Sequence, residues 1–424
     1  MVKRVLISLS LLAGLAALAI TYGKNKSEYY YTFPVAHITE EKLQEDFFNQ
    51  VEFYQKKIKK NNSAKDMTML AQIYANRAKV VTSADYFLAA SRYAYRSIAL
   101  MPQYNPGAWF VLADVALAQK EFHKAINYAN IINKQKNYKT PEAYLILATS
   151  NLGLGNLEAA MIFADELIDV FPSEKAFTLR AVILAEQGRD QEAINDFEEG
   201  IKLMEDDPVQ GAYTRAMYAR FLLTRPYDKN YYENAIALLN ESLRITPASA
   251  LVHGLIGDLF VKEKKYKEAV KYYQSAFRQS KQLSFLFKEA MYQKISGNAV
   301  YAEKLFNQTE ILLRMELNKY KNASAAELIR LLLERGDPSD YTETMRLADR
   351  ERKLRPNTET LYLYSWALEL NGRLPEARKS IRSLLAKNIR NEDVLKRAAS
   401  IEEKLKNKNL AQIYKGQQSQ SLSL

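Results

Sequence analysis

Downstream of residue 38 the chain sets apolar stripes against charged faces at helical spacing. Residues 39 to 60 read as one amphipathic helix, with Thr39 as cap, Glu40 and Glu41 in the first turn, and Leu43, Phe47, Val51, Tyr54 and Ile58 on one face. The stretch KKYKEAVKYYQSAF, residues 264 to 277, behaves the same way. Ala269, Tyr273 and Ala276 share a face, while Lys264, Lys265, Lys267 and Lys271 fall largely on the outer side. No sustained apolar and polar alternation bounded by turn residues predicts a strand.

The small residue at Ala269 recurs. Ala90, Ala125, Ala160, Ala193, Ala235, Ala269, Ala302, Ala377 and Ala411 stand 35, 35, 33, 42, 34, 33, 75 and 34 residues apart, and the 75 divides into 42 and 33 if Thr344 holds one place. A second register of small residues lies 12 positions earlier, at Ala78, Ala113, Ala148, Ala181, Gly257, Ala290, Ser365 and Ala399. A third is proline, 12 positions after a marker, at Pro102, Pro172, Pro247 and Pro356, where it stops a helix. Two antiparallel helices per repeat account for all three registers, because backbones that cross closely need a small side chain at the crossing on each helix.

These residues resemble the tetratricopeptide-repeat family. The pattern of an aromatic or aliphatic residue, leucine, a small residue, a second alanine and a closing proline falls on Trp109, Leu112, Ala113 and Ala125. It recurs on Tyr144, Leu147, Ala148, Ala160 and Pro172, and on Phe177, Ala181, Leu184, Ala193, Phe197 and Gly200. The resemblance covers residues 69 to 416 as ten units, the last abbreviated. It implies an all-α, right-handed α-solenoid of antiparallel helix pairs. Two units depart from the pattern: LLTRPYDKNYYEN lengthens the internal turn of the unit ending at Pro247, and the unit marked by Thr344 carries Leu332 where a small residue is expected. The tail, residues 417 to 424, is polar and unperiodic, which predicts disorder.

In that family the first helix of each pair lines a concave face, so positions three before and one after the first small residue are expected to meet a ligand. They are Ala75 and Lys79, Phe110 and Asp114, Leu145 and Thr149, Thr178 and Val182, Gly254 and Asp258, Phe287 and Met291, Tyr362 and Trp366, and Lys396 and Ser400. Family members that clamp a carboxylate terminus place lysine and asparagine serially at such positions, and this chain has no such series. Candidate partner-binding residues are therefore Phe110, Asp114, Leu145, Thr149, Asp258, Phe287, Met291, Tyr362 and Trp366, with Phe110, Phe287, Tyr362 and Trp366 as expected hot spots for an extended segment or a partner helix. For each of these, packing against the next repeat is the competing role.

Residues 1 to 23 are a separate object. Lys3 and Arg4 precede an uncharged run from Val5 to Gly23, about 28 Å as a helix, close to a bilayer core. A retained inner-membrane anchor is expected, with membrane contact through residues 5–23. The alternatives are a cleaved export signal, given the Ala17-Leu18-Ala19 pattern, and a buried helix. The weak positive-inside bias favours an exported bulk in the periplasm. Residues 24–68 then form a juxtamembrane linker and the first amphipathic helix.

Composition narrows the chemistry. Zero cysteines among 424 residues remove disulfides, thiolate metal sites and a cysteine nucleophile. The net charge of +11 is uneven, since residues 165 to 207 hold 13 acidic and 4 basic residues. Lysines beside tyrosines suggest a nucleic-acid groove, but helical spacing assigns them to solvated faces and disfavours that partner. His37, His123 and His253 share no metal-ligand spacing, and no phosphate loop, HExxH or serine elbow occurs. No cofactor, metal or catalytic residue is expected. The expected role is a non-catalytic scaffold for envelope proteins in envelope biogenesis or assembly. The alternatives are a cytosol-facing docking receptor and an envelope enzyme with an unrecognised carboxylate site.

Overall fold

Helices dominate because Ala, Leu, Lys and Glu are good helix formers and turn residues are confined to short connections. The computed structural model describes residues 40–81, 83–136, 140–203, 208–225, 228–319, 324–389 and 391–419. The apolar segment at residues 1–23, the linker to residue 39 and the last five residues lie outside these. Among the described residues there are 21 α-helices, one 3-10 turn and no strand. None of these helices is long and apolar enough to cross a membrane.

A leading helix, α1 (Glu40–Asn61), precedes ten antiparallel pairs. Unit 1 is α2 (Ala64–Val81) with α3 (Ala84–Leu100), unit 2 is α4 (Pro106–Ala118) with α5 (Phe122–Lys136), and unit 3 is α6 (Pro141–Leu154) with α7 (Leu157–Val170). Unit 4 is α8 (Glu174–Glu186) with α9 (Asp190–Lys202), unit 5 is α10 (Pro208–Thr224) with α11 (Lys229–Ile245), and unit 6 is α12 (Ala250–Lys262) with α13 (Tyr266–Ser280). Unit 7 is α14 (Leu283–Ile295) with α15 (Ala299–Lys319), and unit 8 is α16 (Ala325–Arg335), a 3-10 turn (Pro338–Asp340) and α17 (Tyr341–Leu354). Unit 9 is α18 (Thr358–Leu370) with α19 (Leu374–Ala386), and unit 10 is α20 (Glu392–Lys404) with α21 (Lys408–Ser419), which carries the helix into the polar tail.

The two helices of a unit differ in kind. First helices such as α6 are buried on several sides, at Ala143, Tyr144, Ile146, Leu147, Ala148, Ser150, Asn151 and Leu154. Second helices such as α13 bury one stripe, Ala269, Val270, Tyr273, Ala276 and Ser280, and leave Lys267 and Lys271 in solvent. Both small-residue registers sit where the helices touch: Ala148 and Ala269 have no exposed surface. At Gly257 a Cβ would stand 2.5 Å from the Tyr273 ring, so the glycine makes room for the tyrosine that fills the crossing. Tyr273 is itself fully buried and its hydroxyl donates to Asp258 Oδ1 at 2.7 Å.

The unit with the lengthened internal turn keeps its close contact but moves it. Ala216 and Ala219 of α10 are fully buried, and Ala219 lies 16 residues before Ala235 instead of 12. In unit 8, Leu332 is fully buried as a large residue, and the 3-10 turn lengthens the path to α17.

Turns between the helices of a unit share one backbone device. A residue in the left-handed region follows the first helix at Lys120, Gly155, Gly188, Lys264, Gly297, Gly336, Gly372 and Lys406, with φ between 56° and 94°. That conformation ends the helix and reverses the chain, and glycine adopts it without strain.

Candidate functional site

The site is the interior of the superhelix, and its walls are closed by contacts between units far apart in sequence. Lys319 at the end of unit 7 pairs with Asp85 in unit 1. In the turn of unit 2, Lys120 Nζ lies 2.9 Å from Glu327 Oε1 of unit 8. Asn357, which caps α18 of unit 9, donates to the Gly153 carbonyl of unit 3 at 2.8 Å, and the neighbouring Thr358 hydroxyl donates to Glu186. Asn388, before unit 10, donates to the Gly188 carbonyl of unit 4 at 3.1 Å. Units 1 to 4 thus meet units 7 to 10, at an offset of five or six units. The ribbon of helix pairs winds until its edge meets the edge one turn on.

Two adjoining cavities lie inside. One, of about 410 Å³, is lined by Val182 and Met217 on one side and by Tyr362 and Asp393 on the other. The second, of about 330 Å³, is lined by Gly254, Asp258, Phe287 and Lys288. Arg220, Arg330 and Glu359 border both, so the cavities meet at a charged waist. Both volumes fall within the range of ordinary ligand pockets.

Charges in the interior are only partly matched. Lys288 pairs with Asp258 at 2.6 Å and Lys262 with Glu392 at 2.6 Å, while Arg330 reaches Glu359 only at 3.6 Å. Glu334 keeps solvent contact, yet the protein crowded around it pushes its carboxyl up, against the pull of Arg330, and nearby Asp393 adds to the rise. Burial also works to raise Glu392, but Lys262 and Lys396 outweigh it and hold that carboxyl down. Tyr362 is pushed up to about 12 by burial and by Asp393.

Of the candidate residues, Asp258 and Phe287 line the second cavity and Tyr362 the first. Trp366 is 8% exposed, with the Arg397 guanidinium 4.0 Å from its ring centroid and Tyr362 6.0 Å away, so it forms the layer beneath the wall. Asp114 pairs with Lys79 at 2.6 Å, Phe110, Leu145 and Thr149 are half-buried, and Met291 packs against the C-terminal core. None of these five borders either cavity. Arg220, Arg330 and Glu359 were outside the sequence reading. The displaced small residue at Ala219 is the signal that could have found Arg220, one position after it.

Neither described histidine joins a metal-binding cluster. His253 is half-buried, with Nδ1 2.7 Å from the Ser275 hydroxyl, and burial pushes its pKa down. His123 is exposed, and His37 lies outside the described residues. Among the described residues no three acidic or histidine side chains converge as metal ligands.

Family models for the tetratricopeptide repeat match residues 110–175 and 250–282. The chain carries tetratricopeptide repeats. Such arrays are protein-interaction scaffolds. Among solved structures, yeast Tom70 is similar at 13% identity and TM-score 0.36, over 89% of this chain and 93% of that one. A tetratricopeptide-repeat protein from Parabacteroides merdae is similar at 13% identity and TM-score 0.41, over 59% of this chain and 93% of that one. No curated protein sequence matches this chain.

Proposed function

We propose that this scaffold is non-catalytic, is held at the inner membrane by residues 5–23 with its bulk in the periplasm, and binds segments of envelope proteins during envelope assembly. The observation that supports binding inside the array is the pair of adjoining cavities, whose waist carries Arg220 and Arg330 opposite Glu359. A segment there gains charge-assisted hydrogen bonds from the arginines and apolar contact from Phe287 and Tyr362. The lysine and arginine before the apolar run, and the length of that run, support the anchor and its orientation.

A photo-crosslinking side chain at Met217, inside the first cavity, is expected to capture envelope proteins that the same group at exposed Ser383 does not. Equal capture at both positions would refute the interior as the binding surface. A reporter fused after Leu424 is expected to be active only outside the cytoplasm, and cytoplasmic activity would reverse the topology. Arg220→Ala, at an exposed side chain that borders both cavities, should reduce capture with little loss of folding. Trp366→Ala, by contrast, should cost roughly 3 to 5 kcal/mol of stability, because a large buried ring leaves a cavity.

A further inference from the structure

The joints of this molecule are of two kinds. Helices within a unit, and neighbouring units, are held by continuous apolar packing around residues such as Ala148, Ala164, Tyr273 and Leu332. The edge-to-edge joint, which closes one turn of the superhelix on the next, is bridged by side-chain polar contacts: Lys319 with Asp85, Lys120 with Glu327, Asn357 with the Gly153 carbonyl, Thr358 with Glu186, and Asn388 with the Gly188 carbonyl. Hydrogen bonds of this sort contribute about 1 kcal/mol each and partly exposed ion pairs about 0 to 1 kcal/mol, so this seam is the weakest joint in the array.

We propose that the seam is a latch on the interior: closed, it admits small molecules alone, and open, it lets an extended segment of a partner chain enter sideways. The size of the interior supports an extended occupant. An α-helix with its side chains is about 10 to 12 Å across, and a few turns of it need more room than the adjoining cavities of about 410 and 330 Å³ offer. Loss of the seam contacts leaves the packing within units untouched, so opening is a hinge between turns and not an unfolding. The inference rests on the interior being the binding surface, but its test needs no partner.

The chain has no cysteine, so a single introduced thiol reports on one place. Met217→Cys lies in the first cavity, and Val182→Cys beside it is a second reporter. Exposed Ser383→Cys gives the unhindered rate. In the full chain, a polymer-linked maleimide is expected to label the interior thiol at least roughly tenfold more slowly than a small maleimide, relative to Ser383→Cys. Adding Lys120→Glu, Lys319→Glu, Asn357→Ala, Thr358→Ala and Asn388→Ala, which together remove every seam contact described above, is expected to bring the two reagents toward parity at unchanged helicity. Parity without those changes would overturn the proposal, because the interior would already be open. A polymer still excluded after them would also overturn it, because the seam would not govern access. A working latch with no captured protein would count against the proposed function alone.

Discussion

The turns at Gly155 and Gly188 and the turns at Gly297, Gly336 and Gly372 have the same backbone conformation and different neighbours. A Cβ at Gly155 would stand 2.5 Å from the Pro356 carbonyl oxygen, and one at Gly188 would stand 2.7 Å from that of Asn388. At Gly297, Gly336 and Gly372 nothing lies within 4 Å. The second set shows what the turn itself asks for, a residue that tolerates positive φ. The first set shows what the seam adds: a bare turn against which the chain six units on can be laid.

The widest separation between the two sets is expected on adding one methyl group. Gly372→Ala should cost about 1 to 2 kcal/mol, the strain of a left-handed alanine. Gly155→Ala carries the same strain and the collision with Pro356, about 1 to 3 kcal/mol more, unless the seam parts to relieve it. Chemical denaturation of the two variants measures the difference, and equal losses would mean that the seam is not closed in solution. Within a unit, Ala148→Leu or Ala269→Leu should cost about 1 to 3 kcal/mol by overpacking a crossing that has no spare room. Neither change should alter access to the interior, which distinguishes the two kinds of joint.

This difference also explains what could be read from the chain alone. The crossings repeat because every unit solves the same packing problem with a small residue, so a fixed spacing reveals Ala113, Ala148 and Ala269 directly. The seam has no such spacing. Its members are two lysines, two asparagines, a threonine, their acidic partners and glycine carbonyls, and the pairs are separated by 172 to 234 residues. Nothing local requires them. The interior falls between these cases: rules based on the small residue reach Asp258, Phe287 and Tyr362, but an inserted turn displaces Arg220 and a leucine at position 332 hides the face that carries Arg330.

Two interior carboxyls sharpen the comparison through pH. Glu392, held down by Lys262 and Lys396, contributes stability that is fully present above the ordinary glutamate range and is lost as pH falls through its lower folded value. Glu334 is raised, so its contribution has the opposite sign: it is favourable while protonated and diminishes as pH climbs from the ordinary range through its raised value. Glu392→Gln is therefore expected to lower melting at neutral pH and flatten the acid side of the profile, whereas Glu334→Gln is expected to raise melting at neutral pH only slightly, because Glu334 keeps solvent contact that screens its charge. Identical profiles for the two variants would contradict the assigned surroundings of both carboxyls.

The smallest expected effect is also the most selective for the seam. Lys120 and Lys264 occupy equivalent turns with φ of 56° and 59°, so replacing either with glutamate changes the local backbone cost by the same amount. Their surroundings differ, since Lys120 faces Glu327 across the seam and Lys264 extends into solvent beyond the turn. Lys120→Glu removes an attraction and creates a repulsion, yet the side chains are 26% and 36% exposed, so the loss should stay near 1 kcal/mol. Salt identifies it: at low ionic strength Lys120→Glu should melt below Lys264→Glu, and at high ionic strength the gap should narrow as the screening length shrinks to about 3 Å at 1 M, comparable to the spacing of the charges. A gap that persists undiminished in high salt would place the effect in the turn itself, and no gap at any salt concentration would mean that Lys120 and Glu327 do not meet.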